Sequence, residues 1–467
     1  MVKRALLVST YDLGHQPFGL ASPAAWLRRE GVDVRCSDLS KEKLADTAAS
    51  EADLIAFHLP MHTATRLAAP VIKKVRALNP RARLCAYGLY APLNEEWLRS
   101  LGIDDVLGGE FEEELAALVH GIRTGGCATS DLKIRADNKA SVPRLHFIPP
   151  DRSGLLPLNR YATLHLGDGS RRIAGYTEAS RGCRHLCRHC PVVPIYNGQF
   201  RVVQQDVVLA DVSAQVAAGA EHITFGDPDF FNGPTHAARI VDALHERFPS
   251  LTYDVTIKVE HLLQHVELLP RLRETGCLFV TTAVESLDDR VLRILEKGHT
   301  RADFVAAVDR CRQAELTLVP TFVAFHPWIS LQGYCDLLDT LAALDLVDHV
   351  APIQLAIRLL IPRGSRLLEL DEVRTLASRF DQKTLSFLWS HPDPRVDALQ
   401  ADIAAIVGRR LTTDRREAFA AISALAHDRA GLPPAAQMSS EVSKPVPYMD
   451  EPWYCCAEPN PEQLTLV

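Results

Sequence analysis

The sequence predicts an α/β chain with two parallel-sheet units in series: a doubly wound, Rossmann-like sheet, then a partial (β/α)6 barrel, a helical region and an irregular tail. Three observations support this. Short β-rich runs alternate with helix-length amphipathic segments from Arg4 to about Arg123. The alternation lapses from about Thr124 to Leu166, where Gly125, Gly126, Pro143, Pro149, Pro150 and Pro157 collect, and it resumes near Arg171. A length of 467 residues also exceeds one ordinary domain.

In the first unit, Ala5–Ser9, Val32–Cys36, Asp53–His58, Arg83–Tyr87 and Asp105–Leu107 read as strands separated by helical stretches. A doubly wound sheet binds ligands at the carboxyl ends of its strands, where Thr10–Phe18, His58–Thr65, Tyr87–Leu93 and Gly108–Glu110 would gather. In the second unit the strands read as Gly175–Ser180, His222–Gly226, Tyr253–Val259, Leu278–Ala283, Thr317–Phe325 and His349–Leu360. From Glu372 the pattern turns helical through Leu376, Phe380, Leu385 and Leu388, and later Ile403, Ile406, Ala418 and Ile422. Gly431-Leu-Pro-Pro then breaks it. The expected division is 1–125, 126–170 (linker), 171–370 (barrel), 371–434 (helical) and 435–467 (tail).

Hydrophobic residues form 47% of the chain, enough for a substantial core in each unit. Lys plus Arg number 51 against 58 Asp plus Glu, a formal charge of −7, so no basic excess favours nucleic acid. The apolar start Ala5–Ser9 is one strand long and reads as neither signal peptide nor membrane span. Eleven cysteines in such a chain fit thiols and metal ligands in a reducing cytoplasm better than a disulfide frame.

Cys183-Arg-His-Leu-Cys187-Arg-His-Cys190 is the most informative run. CxxxCxxC offers three thiolates, which leaves one iron of a [4Fe–4S] cube open to another ligand. A structural zinc site with His185 or His189 as the fourth ligand is the alternative. Gly226-Asp227-Pro228-Asp229 ends the second barrel strand, and Ala283-Val284-Glu285-Ser286 ends the fourth, followed by Lys297-Gly298-His299-Thr300. Lys258 lies on the third strand and Arg358 on the sixth, where a charge among Leu and Ile must be paired or face the open mouth.

Together these motifs resemble the radical S-adenosylmethionine (SAM) superfamily, and the Glu285-to-Lys297 stretch resembles its cobalamin-type members. The resemblance implies that Cys183, Cys187 and Cys190 hold a [4Fe–4S] cluster and that Gly226, Asp227, Lys258, Glu285 and Arg358 contact SAM. The first sheet resembles a cobalamin-binding domain, with Gly108-Gly109-Glu110 matching a "GE" turn. Asp12-Leu-Gly-His15 lacks the DxHxxG pattern of histidine-donating cobalamin domains, so cobalamin binding and a fold that has lost it both stand.

The tail motif Tyr454-Cys455-Cys456-Ala-Glu-Pro resembles the CUAEP/CCAEP-tail radical SAM family, and the vicinal thiols Cys455 and Cys456 are assigned a catalytic part in handling a thiophilic substrate. The implied function is a cytoplasmic radical SAM transferase acting on a small molecule, with an electron donor such as flavodoxin or ferredoxin and no nucleic-acid or membrane partner. Its specific form would be 3-amino-3-carboxypropyl transfer to trivalent arsenic, as in arsinothricin biosynthesis. Cobalamin-dependent methyl transfer is the alternative enzyme, and a redox- or metal-sensing protein on a degenerate barrel the alternative outside catalysis.

Overall fold

Alternating apolar residues in the first strands sort onto two opposite faces. A computed structural model describes residues 2–124, 142–409, 415–433 and 446–451. Strands β1 (Arg4–Ser9), β2 (Asp33–Asp38), β3 (Leu54–His58), β4 (Arg83–Tyr87) and β5 (Asp105–Leu107) form a parallel sheet in the order β2-β1-β3-β4-β5. Leu6, Val8, Ile55, Phe57 and Leu84 pack into one core layer, while Ala5, Leu7, Leu54, Ala56 and Cys85 pack into the other. Period-two alternation with both faces buried makes these strands apolar throughout. Helices Phe18–Arg29 and Glu112–Thr124 pack against each other, and His62–Leu78 supplies buried residues to the opposite layer.

The second sheet begins with β6 (Thr163–His165) and β7 (Arg171–Thr177). After β8 (Ser180–Gly182) and β9 (Phe200–Val202), which form their own antiparallel pair, it continues through β10 (His222–Phe225), β11 (Thr252–Thr256), β12 (Cys277–Glu285) and β13 (Thr317–Phe322). The order is β13-β12-β11-β10-β7-β6, with β7 to β13 parallel and β6 antiparallel at the edge. Its core draws Ile223, Phe225, Tyr253, Val255 and Val280 from the strands and Val212, Ile240 and Phe304 from the covering helices.

Three local expectations are corrected. His349–Leu360 does not form a sixth strand: it folds as 3₁₀ turns at Val347–His349 and Pro352–Leu355, leaving a single bridge between Phe325 and Arg358. Pro352 has no N–H for a ladder, and the Gln354 side chain accepts the Phe322 N–H at 3.0 Å in place of a strand carbonyl. Phe380, Leu385 and Leu388 are not helical. There, β14 (Phe380–Asp381) and β15 (Ser386–Phe387) make a hairpin, because Asp381 accepts the N–H groups of Lys383 and Thr384 and so competes with helix formation. The tail is not wholly irregular either. β16 (Tyr448–Met449) pairs antiparallel with β6 and completes the edge of the second sheet.

Candidate active site

The cluster loop follows directly from β8, and its neighbours fix its path. Asp227 at the end of β10 accepts from the Ala179 N–H at 2.9 Å and from the Ser180 hydroxyl, clamping the turn between β7 and β8. Asn232 accepts the Arg184 N–H at 3.2 Å and donates to the Gly182 carbonyl at 3.3 Å. On the far side, Arg188 donates its N–H to Leu295 at 3.0 Å and its guanidinium to Ile294 at 2.7 Å, and pairs with Glu296 at 2.7 Å. The Cys190 N–H closes a turn on the Cys187 carbonyl at 3.2 Å. Burial pushes the Cys183 thiol up to about 11 and the Cys190 thiol up to about 12. Metal binding would displace these protons.

Around this loop stand charged side chains from three strand ends. Lys258, just after β11, places its Nζ 3.9 Å from the Cys187 sulfur and 3.7 Å from Glu260. Glu285 sits at a register shift between β12 and β13 with φ at +71°. A bulge of this kind re-aims a side chain and stores strain at functional sites. The Glu285 carboxylate meets His189 Nε2 at 3.1 Å and accepts from Lys297 at 3.3 Å. Burial alone would raise its pKa, but Lys297 and His189 outweigh burial and hold it at about 2.

Asp229 is buried next to His261 at 2.6 Å and His185 at 3.4 Å. Burial pushes its carboxyl up, yet hydrogen bonds from His185 and His261 prevail and hold it at about 2. Cys183, His185 and Asp229 each place a ligand atom within 4.8 Å of the others, a mixed set that differs from the three thiolates and one histidine of the zinc alternative. His185, however, also lies 3.6 Å from Glu260 and so stands between two carboxylates.

The structure thus brings together Cys183, Cys187, Cys190, Lys258 and Glu285. Gly226 and Asp227 bond to the β7–β8 turn, at Thr177, Ala179 and Ser180. A Cβ at Gly226 would fall 1.7 Å from the Tyr176 hydroxyl, so that glycine makes room for tyrosine. Arg358 does not join the group: it donates to Asp397 at 2.7 Å and to the Trp389 carbonyl at 2.8 Å, and stacks 3.6 Å over the Trp389 ring. Cys455 and Cys456 lie outside the described residues.

One residue that the sequence did not single out ties the two sheets together. Arg181 of β8 pairs with Glu110 at 2.9 Å and Glu112 at 2.7 Å from the first unit, and with Glu178 at 2.6 Å. The rings of Phe18, Phe111 and Phe147 surround its guanidinium. Burial raises the Glu110 carboxyl to about 6 although Arg181 opposes it. The His15 ring packs at a 36° tilt against Tyr176 of β7, centroids 4.9 Å apart, across the same junction.

At the carboxyl ends of β1 and β3, Ser9 and His58 are register partners. The Ser9 hydroxyl and His58 Nδ1 are buried with no hydrogen-bond partner among the described residues. These strands flank the point where the strand order reverses, the usual ligand crevice of such a sheet. Unmet polar atoms there fit a ligand rich in amides and hydroxyls, as a corrinoid is. Equally, three thiols on one loop fit a cluster with one open iron.

Comparison with known proteins agrees with both domains. A radical SAM superfamily model matches residues 177–340, and a B12 binding domain model matches residues 4–119. The ribosomal protein uS12 methylthiotransferase RimO of Parabacteroides distasonis is 24% identical over 185 residues, covering 35% of this chain and 40% of that protein. The chain therefore spans well under half the length of that relative. The hopanoid C-3 methylase of Methylococcus capsulatus is 23% identical over 335 residues, covering 69% and 64%. Among solved structures, the radical SAM methyltransferase TsrM of Kitasatospora setae aligns with a TM-score of 0.64 at 17% identity, covering 86% of this chain and 88% of TsrM, a likeness of fold. Among the described residues no helix is long and apolar enough to cross a membrane.

Proposed function

Since this chain carries a radical SAM domain behind a B12-binding domain, we propose that it transfers a group from SAM to a small substrate, with Cys183, Cys187 and Cys190 holding the cluster. The observation that carries this reading is the convergence of the CxxxCxxC loop, Lys258 and the Glu285–Lys297 pair on one set of strand ends. When bound, a [4Fe–4S] cluster with one open iron supplies the electron that breaks a SAM carbon–sulfur bond, and a corrinoid supplies a methyl carrier.

The residues of this chain bind, orient and exclude water. Lys258 places its ammonium beside Cys187, where it can draw a carboxylate. Glu285 is kept ionised by Lys297 and His189, so it is an acceptor for ribose hydroxyls. Asp227 and Asn232 hold the loop in register with β10. Methyl transfer through a corrinoid is the leading form. It is supported by the B12-binding domain and by unmet polar atoms at Ser9 and His58. A small-molecule acceptor is favoured by the net charge of −7, and a low-potential carrier such as flavodoxin or ferredoxin would deliver the electron.

A second reading, 3-amino-3-carboxypropyl transfer to trivalent arsenic, rests on the vicinal thiols Cys455 and Cys456. Glu451 accepts a hydrogen bond from the Tyr11 hydroxyl at 2.9 Å.

One anaerobic assay with SAM and a reductant separates the readings. S-adenosylhomocysteine, alone or with 5′-deoxyadenosine, marks methyl transfer, whereas 5′-methylthioadenosine marks aminocarboxypropyl transfer. Reconstituted protein that leaves SAM intact would overturn both.

A further inference from the structure

Buried histidines almost always satisfy at least one ring nitrogen, and one that satisfies neither calls for an explanation. His299 is 6% exposed, and neither of its ring nitrogens makes a well-formed hydrogen bond among the described residues. Its position is firmly set. Thr300 begins the helix Arg301–Gln313 with a reciprocal capping box to Asp303, which fixes the backbone on one side. On the other side Gly298, at φ +76°, backs onto Glu260, and a Cβ there would come within 2.5 Å of the Glu260 carboxylate.

The charges acting on the ring place it among the groups described above. Burial pushes the imidazole down to about 4, Lys297 and Lys258 add to that effect, and Glu285 and a weak hydrogen bond to the Lys297 backbone oppose it. Lys297 is committed to Glu285, and Lys258 faces Cys187 and Glu260. A neutral imidazole therefore sits beside two ammonium groups without a well-formed hydrogen bond, in a region that favours an anionic ligand.

We propose that His299 is a SAM-contacting residue, donating a ring N–H to the carboxylate of the cofactor's amino-acid moiety alongside Lys258. This deepens the function proposed above and rests on it. A ring N–H without a well-formed partner is satisfied when the ligand arrives, and its removal should weaken binding without disturbing the cluster, since among the described residues no hydrogen bond or ring contact joins His299 to the three cysteines.

The test uses the full-length, anaerobically reconstituted protein and SAM itself. His299→Phe keeps a ring of similar bulk without donors, and His299→Gln keeps a donor on a side chain of similar reach. Iron and sulfide content should match the parent in both. The Kd for SAM, read from its perturbation of the reduced-cluster EPR spectrum, should rise about tenfold in His299→Phe and less than about threefold in His299→Gln. Parent-like affinity in His299→Phe with an intact cluster overturns the proposal in favour of a packing role, as does loss of the cluster in both variants. Should the parent itself fail to assemble a cluster or bind SAM, the broader reading fails first, and the parent measurement identifies that case.

Discussion

Arg181 and Glu110 join the two domains through a buried ion pair, 2.9 Å long, with the glutamate fully enclosed and the arginine 8% exposed. Arg181 lies two residues before Cys183, and Glu110 lies in the turn after β5, so the pair links the ligand end of one sheet to the start of the cluster loop. Arg181→Met would leave Glu110, Glu112 and Glu178 without their shared countercharge. Breaking one side of a buried pair costs about 3–5 kcal/mol. The thermal midpoint should fall clearly in Arg181→Met and less in Glu110→Gln, which leaves Glu112 and Glu178 in place. Equal midpoints for Arg181→Met and the parent would remove the role assigned to this node.

Cys187→Ala should abolish iron uptake on anaerobic reconstitution, together with the cluster's absorbance and EPR signal. Its sulfur is buried and faces Lys258, so it sits where a cluster ligand must stand. Stoichiometric zinc in the parent with no iron uptake would favour the mixed site of Cys183, His185 and Asp229 instead.

Asp227 gives a pH dependence with a definite sign. Burial raises its carboxyl to about 7, against the hydrogen bonds from Ser180 and Ala179. An unfolded aspartate titrates near ~3.9. The folded state therefore binds the proton more tightly, and this contribution to stability is complete below about pH 4 and lost as pH rises toward 7. The parent's thermal midpoint should fall more between pH 5 and pH 8 than that of Asp227→Asn. Parallel curves for the two proteins would show that Asp227 does not titrate in this window.

Those same residues show what sequence could and could not reveal. The cysteine loop stood out because its motif is a short spacing, and the position of Glu285 because it ends a long β strand just before a recognisable run to Lys297. Which acid of Gly226-Asp-Pro-Asp229 faces the loop was not legible. The chain direction around Pro228 turns Asp227 into the β7–β8 turn and Asp229 toward His185 and His261. Arg181 gave no signal because its partners Glu110 and Glu112 are 71 and 69 residues away. Nor could periodicity reveal β6 and β16, whose three and two residues are too few for alternation to register.

For the tail, Cys455→Ser with Cys456→Ser should leave cluster content and uncoupled SAM cleavage near parent levels while product formation falls steeply. Adjacent thiolates bind a soft centre as a chelate, the second bond forming at high effective concentration. Arsenite titration should therefore show tight binding in the parent and weak binding in the double variant. Turnover of the true substrate at the parent's rate by the double variant would remove the thiols from the mechanism.

His15 is the nearest histidine to the β1 turn that a corrinoid could use as a cobalt ligand, and the structure gives it another task. Its backbone N–H donates to the Asp12 carbonyl at 2.9 Å, and its ring packs at a tilt against Tyr176 across the domain junction. Burial lowers its pKa to about 4, so the imidazole is neutral and wedged between domains at working pH. Corrinoid binding should then survive His15→Phe, which keeps a flat ring against Tyr176 and cannot ligate cobalt. His15→Ala should keep the corrinoid but lower the thermal midpoint, since the ring contact is lost and a cavity opens at the junction. The visible spectrum of the bound corrinoid should be the same in the parent and in His15→Phe. A shift in that spectrum, or loss of corrinoid in His15→Phe with the fold intact, would make His15 a cobalt ligand after all.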